Sequence, residues 1–250
     1  MDRFTRLEFG DKAPKKGPDG EPVRDAEYFY KNAYRYWFAA DFELALRNFS
    51  RVLEEDSSIF GAWSGQITAL IELGEHPEAI VWADKALESF PEHPELLALK
   101  AVAYSRDAKF EKAIAYSDNS VSKNDVTPIV WLARAEVLLH RKSPVAENCI
   151  SKAVGCGGEL GPFIKLEAAR LLRRKHRYSK AIAYLNEVVQ SVPKSALAWY
   201  ELGCCQAKLG LPQAKVSLEQ CCQLRPDWAE AKRELKHAES RGFLRKLFGR

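Results

Sequence analysis

The chain has 250 residues, of which 46% are hydrophobic and 29% charged, a composition typical of an ordinary globular protein. Its formal net charge of +4 comes from the last ten residues, which carry four basic and no acidic side chains, whereas the other 240 residues hold 34 of each sign. The body of the chain therefore has no global attraction to nucleic acid.

The sequence contains no stretch that approaches the roughly 18 consecutive apolar residues of a membrane-spanning helix. Its first residues, MDRFTR, lead into no apolar segment of the kind found in secretory signals. We therefore expect a cytoplasmic protein. The six cysteines are then predicted to be reduced thiols that act as small apolar residues.

Residues 1–25 are predicted to form a disordered N-terminal arm. Within them the segment GDKAPKKGPDGEPVRD at 10–25 holds three glycines, three prolines and no aromatic residue. Such a segment buries too little apolar surface to offset the entropy cost of ordering it.

From residue 26 onward the chain repeats with a period of 34 residues. The eighth position of five blocks is a small residue, and an alanine stands at or one residue before the twentieth position of all six. We expect repeats at 26–59, 60–93, 94–127, 128–161, 162–195 and 196–226, followed by a capping helix at 227–240 and a basic amphipathic tail at 241–250.

Each block is predicted to contain two antiparallel helices. Apolar residues recur at helical spacing on both sides of a break near the fifteenth position, such as LGEHP at 73–77. Two helices approach closely only where their side chains are small, which explains the alanine and glycine positions. Each pair leaves an apolar face that the next pair covers, so the sequence predicts an all-α stack of helix pairs.

The segment WYELGCCQ at 199–206 resembles the tetratricopeptide signature W-x₂-L-G-x₂-Y, with Gln206 in place of the tyrosine. The resemblance covers roughly residues 26–226. It implies a right-handed superhelical solenoid of six helix pairs plus a C-terminal capping helix. It also implies that the first helices line a concave groove through positions 2, 5, 6, 9, 12 and 13 of each block.

Block one places an aromatic set on these groove positions: Tyr30, Tyr34, Trp37 and Phe38. Rigid aromatic side chains are suited to anchoring a partner peptide or helix. The alternative is that the set packs against the second helix of its own block or against the N-terminal arm. The sequence leaves both interpretations open.

Basic residues recur at the thirteenth position of blocks three to six: Arg106, His140, Arg174 and Lys208. Arg170 and Arg173 occupy further groove positions in block five. Together they predict a basic strip that faces an acidic peptide, although basic residues near helix C-termini also complement the helix dipole without any ligand.

Some members of the tetratricopeptide family hold a chaperone's C-terminal carboxylate in a two-carboxylate clamp of Lys, Arg and Asn side chains. The matching positions here are Tyr30, Tyr34, Gly65, Glu95 and Leu99. The resemblance therefore does not extend to this clamp, and a chaperone-tail receptor is not expected.

The tail, RGFLRKLFGR, places apolar residues on one predicted helix face beside basic ones: Phe243, Leu244, Leu247 and Phe248, with Arg245 and Lys246. A basic amphipathic segment of this kind binds an anionic membrane surface, docks on a partner or folds back on the preceding helix.

No motif for catalysis, cofactor binding or metal binding stands out. The glycine-rich segment GCGGELG at 155–161 follows a predicted helix, not a strand, and is interpreted as a helix-terminating loop. No His-Glu-x-x-His or Cys-x₂-Cys pattern occurs, so neither a metal nor a cofactor is expected.

The sequence thus predicts a non-enzymatic scaffold or adaptor that binds a peptide or helix of another protein in its concave groove, with an acidic segment as the candidate for the basic strip. The alternative is a peripheral membrane tether that acts through the tail. Nucleic-acid binding through the basic residues of block five ranks lower, because the body of the chain has no net charge.

Overall fold

A computed structural model describes residues 24–141 and 143–248, with side chains up to residue 240. The described residues form thirteen α-helices, one short 3-10 helix and no strand, so the predicted all-α repeat fold is confirmed. The helices are α1 (Ala26–Phe38), α2 (Phe42–Glu55), α3 (Phe60–Leu73), α4 (His76–Ser89), α5 (Pro94–Arg106), α6 (Phe110–Val121), α7 (Pro128–His140), α8 (Val145–Gly155), α9 (Gly161–Arg174), α10 (Tyr178–Ser191), α11 (Ala196–Lys208), α12 (Gln213–Leu224) and α13 (Ala229–Phe248), with the 3-10 helix at Gly158–Leu160.

The odd-numbered helices α1 to α11 are the first helices of the six blocks, and the even-numbered ones are the second. Five first helices begin at the first residue of their block, and α9 begins one residue early, at Gly161. Side-chain caps set several of these starts: Thr127 Oγ1 accepts the N–H of Val130, and Ser195 Oγ accepts the N–H of Ala198. Proline opens α5 and α7, where its missing N–H costs nothing.

The last helix differs from its expected bounds. It begins at Ala229 and continues to Phe248, eight residues past the predicted end of the capping helix. The predicted N-terminal arm up to residue 23 lies outside the described residues, as do residues 249 and 250 and the side chains from 241 onward.

The chain divides into two compact units. The first contains the described residues up to Trp37 and Asp41–Ile164, and the second contains Phe38–Ala40 and the described residues from Lys165 onward. In the first unit, successive first helices α3, α5 and α7 pack side by side. In the second unit, Ala231 of α13 is fully buried against Ala196 and Cys221, so α13 covers the last helix pair.

Small residues stand where the helices approach most closely. The eighth-position alanines of four blocks are fully buried. A Cβ atom added to Gly203 would lie 2.6 Å from Leu218 Cγ. In block two the eighth residue is Ile67, and the close approach occurs at Gly65, where an added Cβ would lie 2.3 Å from Phe49 Cε1. In that block, the small residue that permits close packing therefore stands at the sixth position and not at the eighth.

In the five blocks where the fifteenth position is described, the turn between the two helices has a left-handed residue there. This residue has a positive φ in five blocks: Ala40 (63°), Gly74 (86°), Ala108 (58°), His176 (61°) and Gly210 (68°). The equivalent residue of block four lies outside the described residues. Alanine and histidine adopt this conformation only at a cost of about 1 kcal/mol, because Cβ approaches the following carbonyl oxygen.

The positive φ at this position predicts that substitutions at two equivalent sites change the free energy of unfolding in opposite directions. We expect Gly74→Ala to lower the free energy of unfolding by about 1 kcal/mol, because a side chain disfavours positive φ. An added Cβ at Gly74 meets nothing within 4 Å, so no clash contributes. Ala108→Gly should raise that free energy by about 0.5 kcal/mol. Urea denaturation measures both, and changes of the same sign would contradict the backbone explanation.

Candidate functional site

The first unit contains a partly open cavity of ≈ 440 Å³, a size within the range of ligand pockets in proteins. The N-terminal turns of the first helices of blocks two to four form its walls, together with the middle of α1 and the loop before α9. The lining residues are Tyr30, Tyr34, Phe60, Gly61, Ser64, Glu95, Thr127, Pro128, Ile129, Cys156, Gly157, Glu159 and Leu160. Because four consecutive repeats contribute, the cavity exists only in the stacked fold.

Glu95, at the start of α5, is a buried carboxylate in the lining of this cavity, and the residue is 5% exposed. Ser64 Oγ donates a hydrogen bond to Oε1, and Thr127 Oγ1 donates one of 2.8 Å to Oε2. Burial raises the pKa of Glu95 above its ordinary value, while the two hydroxyl donors act in the opposite direction. One carboxylate thus joins the first helices of three successive repeats.

The aromatic wall of the cavity is formed by Tyr30 and Tyr34 of α1. Their ring centroids are 5.4 Å apart, and both rings pack edge-on against Phe49 of α2. The ring centroid of Tyr34 also lies 5.5 Å from that of Phe163, in an edge-to-face arrangement. Burial raises the pKa of Tyr34 well above its ordinary value, and the neighbouring Tyr30 raises it further. The phenol of Tyr34 therefore stays neutral at physiological pH. Two of the four predicted aromatic residues therefore line a cavity.

The other two are buried in the core, in line with the packing alternative that the sequence left open. Trp37 is 1% exposed, and its ring packs against Phe42 and Phe163 at 4.9 and 5.5 Å. Phe38 is 3% exposed, and its carbonyl oxygen accepts a hydrogen bond of 3.0 Å from Ser195 Oγ. Neither side chain is accessible to a partner in this structure.

Three of the six residues of the predicted basic strip are paired with acidic neighbours. Arg106 lies between Glu72 and Glu136, with an N–O distance of 2.7 Å to each. Burial alone would lower the pKa of Arg106, but the carboxylates of Glu136 and Glu72 raise it above its ordinary value. This guanidinium is therefore a structural cation in the first unit and is not a free contact for an acidic peptide.

The two groove arginines of α9, in the second unit, are also paired with carboxylates. Arg170 forms a salt bridge of 2.8 Å with Glu167 and lies 3.6 Å from Glu201. Arg173 is paired bidentately with Glu201, whose side chain is 3% exposed. A charge reversal at Arg173 would leave a buried carboxylate facing another acid, so it would destabilise the unit as well as change its surface.

The remaining members of the strip lie on the surface. His140, Arg174 and Lys208 are exposed, and the ring of His140 lies 5.5 Å from that of Phe110. Their role in binding an acidic partner stays a prediction, and Arg174 and Lys208 are the positions where a charge reversal tests it without breaking the Arg173–Glu201 pair. The tail side chains from Phe243 to Phe248 lie outside the described part of the chain.

Sequence reasoning missed the loop before α9 as part of a site. The predicted helix-terminating loop is present, and Cys156, Gly157, Glu159 and Leu160 line the cavity. Cys156 is exposed, whereas burial raises the pKa of Cys204, Cys205 and Cys221 to about 12. Glycine at 157 permits close packing, since an added Cβ would lie 3.2 Å from the Gly161 backbone. This proximity is a tertiary feature that local sequence does not signal.

The described residues offer neither a metal centre nor a membrane span. Among them, no group of three or more His, Cys, Asp or Glu side chains is arranged to hold a metal ion. In the same part of the chain, every helix is too short or too polar to cross a membrane.

Parts of the chain resemble known proteins in sequence. A sequence profile of the tetratricopeptide repeat matches residues 30–94 and 166–215. The chain is 24% identical over 200 residues to the Hsp70-Hsp90 organizing protein of Triticum aestivum and to Hsp70-Hsp90 organizing protein 1 of Glycine max. These matches cover 76% of this chain and 33% and 34% of the two relatives, so the chain spans about one third of their length.

Solved structures with the same fold include two that align over most of this chain. A chain of the APC/C hetero-tetramer Cut9-Hcn1 aligns with a TM-score of 0.57 at 18% identity, over 86% of this chain and 43% of that one. TTC0263, a thermophilic TPR protein of Thermus thermophilus, aligns with a TM-score of 0.52 at 17% identity, over 73% of this chain and 99% of that one. At such identities the likeness establishes the fold alone.

The raised pKa of Glu95 predicts a pH-dependent stability. Its folded pKa exceeds the unfolded value near 4.5, so the folded chain binds more protons between the two values and loses stability as pH rises through that window. Glu95→Gln lacks this titration. We expect the stability of the variant relative to the wild type to increase as pH rises from 4.5 through the folded pKa. Urea midpoints at a series of pH values measure the difference, and a difference independent of pH would contradict the prediction.

Proposed function

The chain belongs to the tetratricopeptide-repeat family, and from this premise we propose that it is a non-enzymatic scaffold or adaptor that binds a segment of a partner protein. The observation that carries the proposal is the cavity to which four consecutive repeats of the first unit contribute. A cytoplasmic location is part of the same proposal and rests on the sequence.

The chemistry of the cavity supports a peptide as the ligand. Its walls are aromatic and aliphatic at Tyr30, Phe60, Ile129 and Leu160, with a few fixed polar groups around Glu95. Apolar walls with a small number of placed polar groups are typical of specific binding pockets. The walls stand on helices, so a partner segment meets a preformed surface and little ordering entropy opposes binding.

The names of the sequence relatives support a partner-binding role. The plant relatives are named as organizing proteins of Hsp70 and Hsp90. We take from this only the class of function, which is to hold other proteins. At the clamp positions of chaperone-tail receptors this chain has Tyr30, Tyr34 and Glu95, so the partner proposed here is not a chaperone's C-terminal carboxylate.

The test uses Cys156 as a reporter of cavity occupancy. The full chain is screened against a display library of short peptides, and each binder is added during alkylation with iodoacetamide. We expect binders to slow alkylation of Cys156, because the exposed thiol lies in the cavity wall, and to leave the half-buried Cys222 of the second unit unchanged. Mass spectrometry of the tryptic peptides reads both sites.

Two matched variants control this experiment. Ile129→Trp places bulk in the cavity and should weaken the binders about tenfold, a loss of about 1.4 kcal/mol. Val81→Trp, on the exposed face of α4 where Val81 is 66% exposed, should leave affinity unchanged. Binders that fail to protect Cys156, or a library that yields no binder, would contradict the proposal.

A second candidate function is a membrane tether that acts through the tail. The observation that favours it is the continuation of α13 to Phe248, which gives 241–248 the helical backbone that the amphipathic hypothesis requires. Liposome co-sedimentation of the full chain and of a chain that ends at Ser240 tests it. The full chain alone should sediment with anionic vesicles, and equal sedimentation of the two would reject the tether.

A further inference from the structure

The cavity is acidic. Among the described residues, its lining contains two carboxylates, the buried Glu95 and the exposed Glu159, and no lysine or arginine. Tyr34 contributes no charge, because its raised pKa keeps the phenol neutral. The cavity would therefore repel an acidic peptide. This holds independently of any acidic ligand that binds to the exposed residues of the basic strip.

Glu95 differs from Glu201, which is also buried, and from the half-buried Glu72 and Glu136. Glu201 is paired with two arginines, and Glu72 and Glu136 share Arg106. The side-chain partners of Glu95 among the described residues are the hydroxyls of Ser64 and Thr127. A buried carboxylate without a cation is costly, because hydroxyl donors compensate only part of the lost hydration. A counter-ion is the group that this cavity lacks within the described chain.

The carboxylate also has acceptor capacity left. An ionised carboxylate offers about four acceptor positions, and each oxygen of Glu95 receives one hydroxyl donor. One further donor on each oxygen matches the two parallel N–H groups of a guanidinium or the N–H groups of an ammonium. The two donors already present hold the carboxylate in place, so a ligand would meet an oriented acceptor.

The walls suit the rest of such a side chain. Tyr30, Tyr34 and Phe60 present aromatic rings, and Ile129 and Leu160 are half-buried aliphatic residues of the lining. Lysine and arginine bury an apolar stem while the charged end finds a polar partner, and aromatic faces attract cations.

We propose that the cavity accommodates one lysine or arginine side chain of a partner peptide, with the Glu95 carboxylate as its counter-ion. The inference rests on the proposed function, because it names the partner's chemistry at the same site. The charge pairing replaces lost hydration for both groups, so the cation adds selectivity to a cavity that is otherwise apolar.

Three blocked peptides test the charge requirement in the wild-type chain. They are acetyl-Leu-Lys-Leu-amide, its arginine analogue and its norleucine analogue, which keeps the length of the lysine stem without the charge. Dissociation constants come from NMR shifts of the methyl groups of Ile129 and Leu160, with Val81 as a reference outside the cavity. We expect the lysine or arginine peptide to bind about tenfold more tightly than the norleucine peptide. Equal affinities would overturn the inference.

A variant pair assigns the preference to one carboxylate. Glu95→Gln should remove the advantage of the charged peptides, whereas Glu159→Gln, at an exposed position of the same lining, should change it by less than about threefold. A preference that survives in Glu95→Gln would overturn the inference. Should Glu95→Gln fail to fold, the comparison of the three peptides on the wild-type chain still decides.

Further outcomes separate the candidate ligands. n-Butylammonium alone represents a free amine, and binding as tight as that of the lysine peptide would contradict a peptide occupant. If library binders protect Cys156 while lysine and norleucine peptides bind equally, the partner-binding function stands and the cation site is rejected. If neither set reaches the cavity, the proposed function itself fails.

Discussion

Close helix packing at small residues is the constraint on which the rest of this structure depends. Helices approach within contact of Gly65 and Gly203, where even a methyl group would overlap Phe49 or Leu218. Such packing fixes the distance between neighbouring helices more tightly than hydrophobicity alone, because dense interiors leave no room for adjustment. Each helix pair then presents an apolar face to the next pair. Because every pair must meet the same packing requirement, the small and apolar residues recur in the sequence every 34 residues.

The cavity is a consequence of this spacing. Because the first helices of blocks two to four stand side by side, their N-terminal turns bring Ser64, Glu95 and Thr127 to one point. The N-terminal turn of α5 favours the ionised carboxylate through its dipole, while burial opposes ionisation and dominates. The free protein thus carries an electrostatic cost at a place where a cationic ligand would reduce it. The packing of the repeats, which buries Glu95, is therefore also the reason why a cationic ligand would be preferred over a neutral one.

Much of the fold could be predicted from the sequence, since first-helix starts and small crossing positions recur visibly. The turns were less predictable: glycine marks position fifteen at Gly74 and Gly210, but Ala40 and Ala108 adopt the same left-handed conformation without any such signal. The site was predicted only in part. Tyr30 and Tyr34 line it, yet Glu95 looks like an ordinary first-turn acid until three repeats are stacked around it. Arg106 looked like a free cation because its partners lie one repeat away on either side.

The most direct measurement of the central claim is the titration of the Glu95 carboxyl carbon by NMR, in the free chain and with the lysine peptide at saturation. The account requires a pKa above the ordinary value of 4.5 in the free chain and a lower pKa when the ammonium is bound, because an adjacent positive charge favours the ionised form. An ordinary pKa in the free chain, or one that the peptide leaves unchanged, would contradict it.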